Sequence, residues 1–65
     1  MKGKVKRWLR SRGYGLIEPE NGGKDILVRH SDLIGLHKLK PGDKVEFEVV
    51  ETRAGPKAIN VKLAD

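Results

Sequence analysis

Cysteine is absent from the 65-residue chain, which excludes disulfides and thiolate metal sites. Its absence fits a reducing compartment. Long apolar runs are missing as well: nothing approaches the about 20 residues that a membrane helix needs. The basic N-terminal segment is not followed by the apolar stretch of a secretory signal. A cytoplasmic protein without a membrane partner is the expectation. Aromatic residues are scarce, with one Trp, one Tyr and one Phe. The only histidines are His30 and His37, and no cysteine is there to join them at a metal. Asp25 and Asp32 lie near His30 in sequence, but a turn role and a capping role suit them better than acid–base work. No catalytic residue, cofactor, metal or small-molecule substrate is therefore expected. Acids, finally, are missing from one end. Lys2, Lys4, Lys6, Arg7, Arg10 and Arg12 precede Gly13 with no carboxylate among them. Asp43, Glu46, Glu48 and Glu51 cluster later, opposed there only by Lys44. The net charge of +5 is thus distributed as a basic front and a more acidic back, an oriented electrostatic surface.

What is present is strand pattern. A chain of this length forms one domain, residues 1–65, and is expected to be monomeric; such a domain buries only about 60% of its unfolded surface. Residues 2–9 read as a first strand, with Val5 and Leu9 on one side and Lys4, Lys6 and Trp8 on the other. Arg12-Gly13-Tyr14-Gly15-Leu16-Ile17 and Ile26-Leu27-Val28-Arg29-His30 are two further strands. The turn-rich Pro19-Glu20-Asn21-Gly22-Gly23 between them makes the pair a hairpin. Alternation puts Ile17, Ile26 and Val28 on its buried face and Tyr14, Leu16, Leu27 and Arg29 on the other. Ser31-Asp32-Leu33 predicts a single 3₁₀ turn, capped by Ser31 or Asp32. Residues 35–42 read as a basic loop ended by a Pro41-Gly42-Asp43 turn. Lys44 to Glu51 and Lys57 to Leu63 are the last strands, separated by the Arg53-Ala54-Gly55-Pro56 turn. The expected core is Val5, Ile17, Ile26, Val28, Leu33, Val45, Phe47, Val49, Ile59 and Val61, with Leu63 also inward. It is mostly β-branched, as strands favour. Five short strands predict a small closed all-β structure, since closure removes exposed edges. Periodicity alone leaves an SH3-like barrel open.

Lys4, Lys6, Trp8, Arg12, Tyr14, Leu16, Leu27, Arg29 and His30 fall on one candidate face. Single-stranded nucleic acid needs flat groups on which bases stack and cations that follow the phosphates. Trp8 and Tyr14 supply rings; His30 and the guanidinium planes of Arg7 and Arg29 stack more weakly. The alternation phase sets Trp8 beside Lys4 and Lys6 rather than in the core. Gly13 and Gly15 lack the Gly-Lys-Ser/Thr ending of a phosphate loop. They are read instead as letting the strand bend and a base approach.

The same stretches carry a resemblance. Arg12-Gly13-Tyr14-Gly15-Leu16-Ile17 resembles the first ribonucleoprotein motif of the cold-shock domain family, Lys-Gly-Phe-Gly-Phe-Ile. Ile26-Leu27-Val28-Arg29-His30 resembles the second, Val-Phe-Val-His-Phe. Gly3-Lys4-Val5-Lys6 and the segment from Arg53 to Val61 match the family's ends, so the likeness runs along nearly the whole chain. It implies a five-stranded antiparallel OB-fold barrel with a short 3₁₀ turn after the third strand. It also implies a binder of single-stranded RNA or DNA, low in sequence specificity, that acts as an RNA chaperone. His37, near the place of a loop phenylalanine, and Arg53 join the implied binding residues. The family usually has Trp at Arg7, Phe at Trp8, Leu16, Leu27 and His30, and His at Arg29. Rings have been exchanged for aliphatic side chains and cations. Another OB-type module, such as an initiation-factor-like ribosome binder, and a protein-interaction module are the alternatives.

The exchange has a measurable consequence. Affinity for single strands falls with salt at a logarithmic slope of about −0.7 per phosphate neutralised, so about four contacts give a slope near −2.8. A fourfold rise in salt would then weaken binding roughly fiftyfold. Arg29→Ala should flatten that slope by somewhat under one unit, whereas Leu27→Phe should leave it unchanged. Binding isotherms across a salt series check this, and a slope near zero for the intact chain would remove the electrostatic reading.

Overall fold

The computed structural model describes residues 1–64; Asp65, the last residue of the expected domain, lies outside the described residues. Five strands run in the order β1 (Lys2–Leu9), β2 (Tyr14–Pro19), β3 (Ile26–Arg29), β4 (Lys44–Thr52) and β5 (Gly55–Leu63), with a 3₁₀ turn, His30–Asp32, after β3. They close into a barrel in the spatial order β1-β2-β3-β5-β4. The pairing is antiparallel everywhere except between β3 and β5, which meet in parallel at Leu27 and Lys57. The expected antiparallel OB-type barrel is therefore a mixed one, because the long connection after β3 leads to β4 and the β4–β5 hairpin then lays β5 beside β3 in the same direction.

The hairpin alternation holds. Ile17, Ile26 and Val28 are buried, and Leu16 stands opposite Leu27 and Tyr14 opposite Arg29 on the outer side. The core comprises Val5, Ile17, Ile26, Val28, Leu39, Val45, Phe47, Ala58 and Val61, with Trp8, Leu33, Leu36 and Val49 half-buried against it. β-branched residues dominate it, as expected for a narrow barrel of strands.

Two bulges correct the rest of the pattern. In β1, Val5 pairs with Ile17 and Arg7 with Leu16, so Lys6 is the extra residue. A bulge reverses the alternation beyond it. Trp8 consequently pairs with Gly15, whose other neighbour is the buried Val28, and does not share a side with Lys4. Leu9 moves to the outer phase, opposite Tyr14. In β5, Glu46 pairs with Lys62 and Glu48 with Ile59, leaving both Asn60 and Val61 opposite Phe47. Asn60 takes a left-handed backbone, φ 52°, and donates from Nδ2 to Glu48 Oε2 at 2.7 Å. Asn is among the few residues that accept this conformation. Ile59 is thereby placed outward and only half-buried, and Ala58 takes the core position. Leu63 pairs with Val45 at the barrel rim but stays 56% exposed, so it is not a core residue.

The loop before β4 is also more than a basic connection. Leu39 is 2% exposed and plugs the barrel. Val5 donates its backbone N–H to Asp43 O at 2.8 Å and accepts from Gly42 N–H at 2.7 Å, which docks the turn on β1. Asp43 closes that turn by accepting from the Lys40 N–H at 2.9 Å. The 3₁₀ turn has no side-chain cap, contrary to expectation. Asp32 instead places Oδ2 3.4 Å from Lys57 Nζ. That contact is an ion pair without hydrogen-bond geometry, since Oδ2 has no hydrogen-bond partner.

Gly15 is buried and leaves no room for a side chain. A Cβ there would collide with the Arg7 carbonyl oxygen and lie 2.9 Å from Trp8 Cε3. The backbone of β1 and the indole already occupy the space. Gly15→Ala should therefore destabilise the barrel by about 1–3 kcal/mol, the range for overpacking. Thermal unfolding should show a melting temperature lower by roughly 4–8 °C per kcal/mol. An unchanged value would mean that Trp8 does not pack on Gly15.

Candidate nucleic-acid interface

The outer surface of β1–β3 is a short ladder of side chains. Arg7 stands opposite Leu16 and Leu16 opposite Leu27, in one row across three strands. Leu9, Tyr14 and Arg29 form the next row. Both leucines and Tyr14 are half-buried, while Arg7 and Arg29 are exposed. The result is an apolar centre bounded by guanidinium groups. Lys6, pushed out by the bulge, places Nζ 3.1 Å from Asp25 Oδ2 and lines a small cavity with Arg7 and Leu16. Its side chain is 56% exposed, and a surface pair of this kind holds weakly enough for a phosphate to compete. Lys57 stands beside Leu27 with its ammonium paired to Asp32, a placement that sequence reasoning did not make. A parallel junction between β3 and β5 has no local signature in the chain.

Around the end of this ladder lies a cleft of about 450 Å³ lined by Trp8, Arg10, Arg12, His30, His37 and Lys38. The turn after β1 builds one wall: Leu9 O accepts from the N–H groups of Arg12 and Gly13 at 3.0 and 2.8 Å. That closure needs Gly13 at φ 71°, a left-handed backbone that suits glycine. The facing wall is fixed by the His30 N–H, which donates to Gly13 O at 2.8 Å. The His30 ring then covers Gly13: a Cβ there would lie 2.8 Å from His30 Cδ2. Trp8 is neither the fully displayed platform of the sequence reading nor a core residue. It packs against the core and opens one side to the cleft.

The expected site residues thus divide into groups. Arg7, Tyr14, Leu16, Leu27 and Arg29 form the ladder, with Lys6 at its border. Trp8, Arg12, His30 and His37 meet in the cleft. Arg10 and Lys38 belong there too and were missed, although Arg10 lies in the acid-free front of the chain. Lys4 is elsewhere: it lines a separate cavity with Glu18 and Lys44. Arg53 is exposed at the tip of the β4–β5 hairpin, where Thr52 Oγ1 donates to Gly55 O at 2.7 Å. No group of three or more metal-ligating side chains occurs among the described residues.

The chain is similar to known proteins along nearly its whole length. The family model described as 'Cold-shock' DNA-binding domain matches residues 1–64. Cold shock-like protein CspE of Buchnera aphidicola subsp. Acyrthosiphon pisum (strain APS) is 44% identical over 63 residues, covering 94% of this chain and 91% of the relative. CspC of Shigella flexneri and CspE of Escherichia coli K12 are each 43% identical, with the same coverage. Among solved structures, Drosophila Unr CSD456 superposes with a TM-score of 0.81 over 98% of this chain at 17% identity. This chain spans 26% of that one, and the likeness is one of fold.

The leucine pair gives a direct test of the ladder. Leu27→Phe should strengthen single-strand binding by up to about 1–3 kcal/mol if a base reaches the ring. Stability should change little, because the side chain is already half outside the barrel. Paired oligonucleotide titration and thermal unfolding would decide it: a large loss of stability with no gain in affinity would show that no base reaches Leu27.

Proposed function

The chain belongs to the cold-shock domain family, and we propose that it binds single-stranded RNA or DNA with low sequence specificity and serves as an RNA chaperone. The observation that carries this reading is the junction of the Arg7–Leu16–Leu27 ladder with the cationic cleft beside Trp8. A single strand presents bases and phosphates together. The ladder offers apolar surface and ring faces to the first, and the cleft and its bordering arginines offer cations to the second. Stacking and phosphate contacts carry little sequence information, so discrimination among sequences is weak. Holding strands open in this way shifts weak RNA hairpins toward their melted form by mass action. The reading calls for no cofactor and no covalent step, and for a cytoplasmic monomer as the working unit.

Trp8 is the natural reporter, because it is the only tryptophan and lines the cleft. Adding single-stranded oligonucleotide should change its emission, and unlabelled single strands should reverse a labelled complex more effectively than a duplex of equal length. Silence of Trp8 at saturating oligonucleotide, together with no competition, would sink the reading and bring a protein-docking face forward.

A further inference from the structure

The cleft beside Trp8 gathers more cations than base stacking needs. One indole lines it, together with three basic side chains, Arg10, Arg12 and Lys38, and both histidines of the chain. No carboxylate is among its lining residues. The acid nearest His30 in the chain, Asp32, is engaged elsewhere, 3.4 Å from Lys57 Nζ. Arg29, which precedes His30, is exposed, so the flanking charge is also positive. His30 and His37 come from opposite ends of the connection between β3 and the docking turn and are both exposed.

We propose that this cleft holds a phosphodiester group of the bound strand and that His30 and His37 grip it in their protonated form, making binding proton-linked. This rests on the single-strand reading above but goes beyond it. A neutral imidazole offers one N–H donor and one acceptor, whereas imidazolium offers two donors. A phosphodiester presents only acceptors to it. A phosphate seated between the two rings therefore favours the imidazolium form, and binding takes up protons. The sign follows from linkage: a group whose titration point is raised in the complex contributes affinity that is complete at low pH and lost as pH rises through the raised value. Imidazole is the side chain whose charge changes between about pH 5 and 8. A base stacked on Trp8 in the same cleft would give no such dependence.

The test uses an oligothymidylate without terminal phosphates, so that no group of the ligand titrates in this range. Affinity is measured at about pH 5.5 and about pH 8 at constant ionic strength. The intact chain should bind about tenfold more tightly at the lower pH, the scale of one charge-assisted hydrogen bond. The double variant His30→Gln/His37→Gln should bind equally at both. Equal binding by the intact chain, or pH dependence retained by the double variant, overturns the proposal while leaving single-strand binding intact. A second arm needs no oligonucleotide. Sulfate, which stays dianionic across the range, should raise the titration midpoints of both imidazoles in nuclear magnetic resonance spectra, against chloride at matched ionic strength. Arg12→Gln should reduce that shift, and Lys62→Gln, which removes the same charge from the β4–β5 face, should not. If the oligothymidylate fails to bind at either pH, the single-strand reading falls. The sulfate arm then still decides whether the cleft is an anion site, and unmoved midpoints overturn it.

Discussion

The barrel depends on one strand serving two neighbours. β1 pairs with β4 through Lys2, Gly3 and Lys4 and with β2 from Gly3 to Leu9. A straight strand cannot follow both partners around so small a barrel. The extra residue at Lys6 supplies the bend, as bulges do where a sheet closes. Its second effect is the change of phase that brings Trp8 over Gly15. With no side chain at Gly15, the β1 backbone and the indole approach closely enough to seal that end of the core. Closure, the position of Trp8 and the outward turn of Lys6 are one constraint seen at three places.

The two parts of the outer surface follow from it. Because Arg7 falls in register with Leu16 and Leu27, a guanidinium borders the apolar ladder rather than lying behind it. Because Trp8 turns inward, its ring forms the floor of a cleft instead of a raised platform. Rings on a flat face favour stacking, while cations gathered around a cleft favour phosphate. The exchange of rings for arginine and histidine that the family resemblance implies at Arg7, Arg29 and His30 leaves this surface with less area for stacking. The fold tolerates it because the exchanged positions lie outside the buried core.

Much of this was legible in the chain. The hairpin faces, the core roles of Val5, Val28, Val45 and Phe47, and the 3₁₀ turn followed from period-two alternation and turn residues. Three of the differences share a cause: simple alternation runs through Lys6 and Asn60, and each adds one residue to its strand. Trp8, Leu9 and Ile59 were misplaced for that reason alone. Leu39 was missed on other grounds. A single leucine in a lysine-rich loop has no periodic neighbours to mark it, and its burial depends on the turn at Lys40–Asp43 docking against Val5.

The sequence by itself determined the strand count, the hairpin, the membership of most of the core and the polarity of charge along the chain. These depend on contacts close in sequence or on the simple alternation of side chains. Only the tertiary structure decided which strands meet across the seam between β3 and β5. It also decided where the register slips and which cations gather around Trp8. Arg12, His30 and Lys38 are far apart in the chain, and they line one cleft because the His30 backbone bonds to Gly13 and Leu39 anchors the loop that carries Lys38. Alternation is a property of a single strand; a bulge and a shared cleft are properties of strands packed together, and closing the barrel is what selects them.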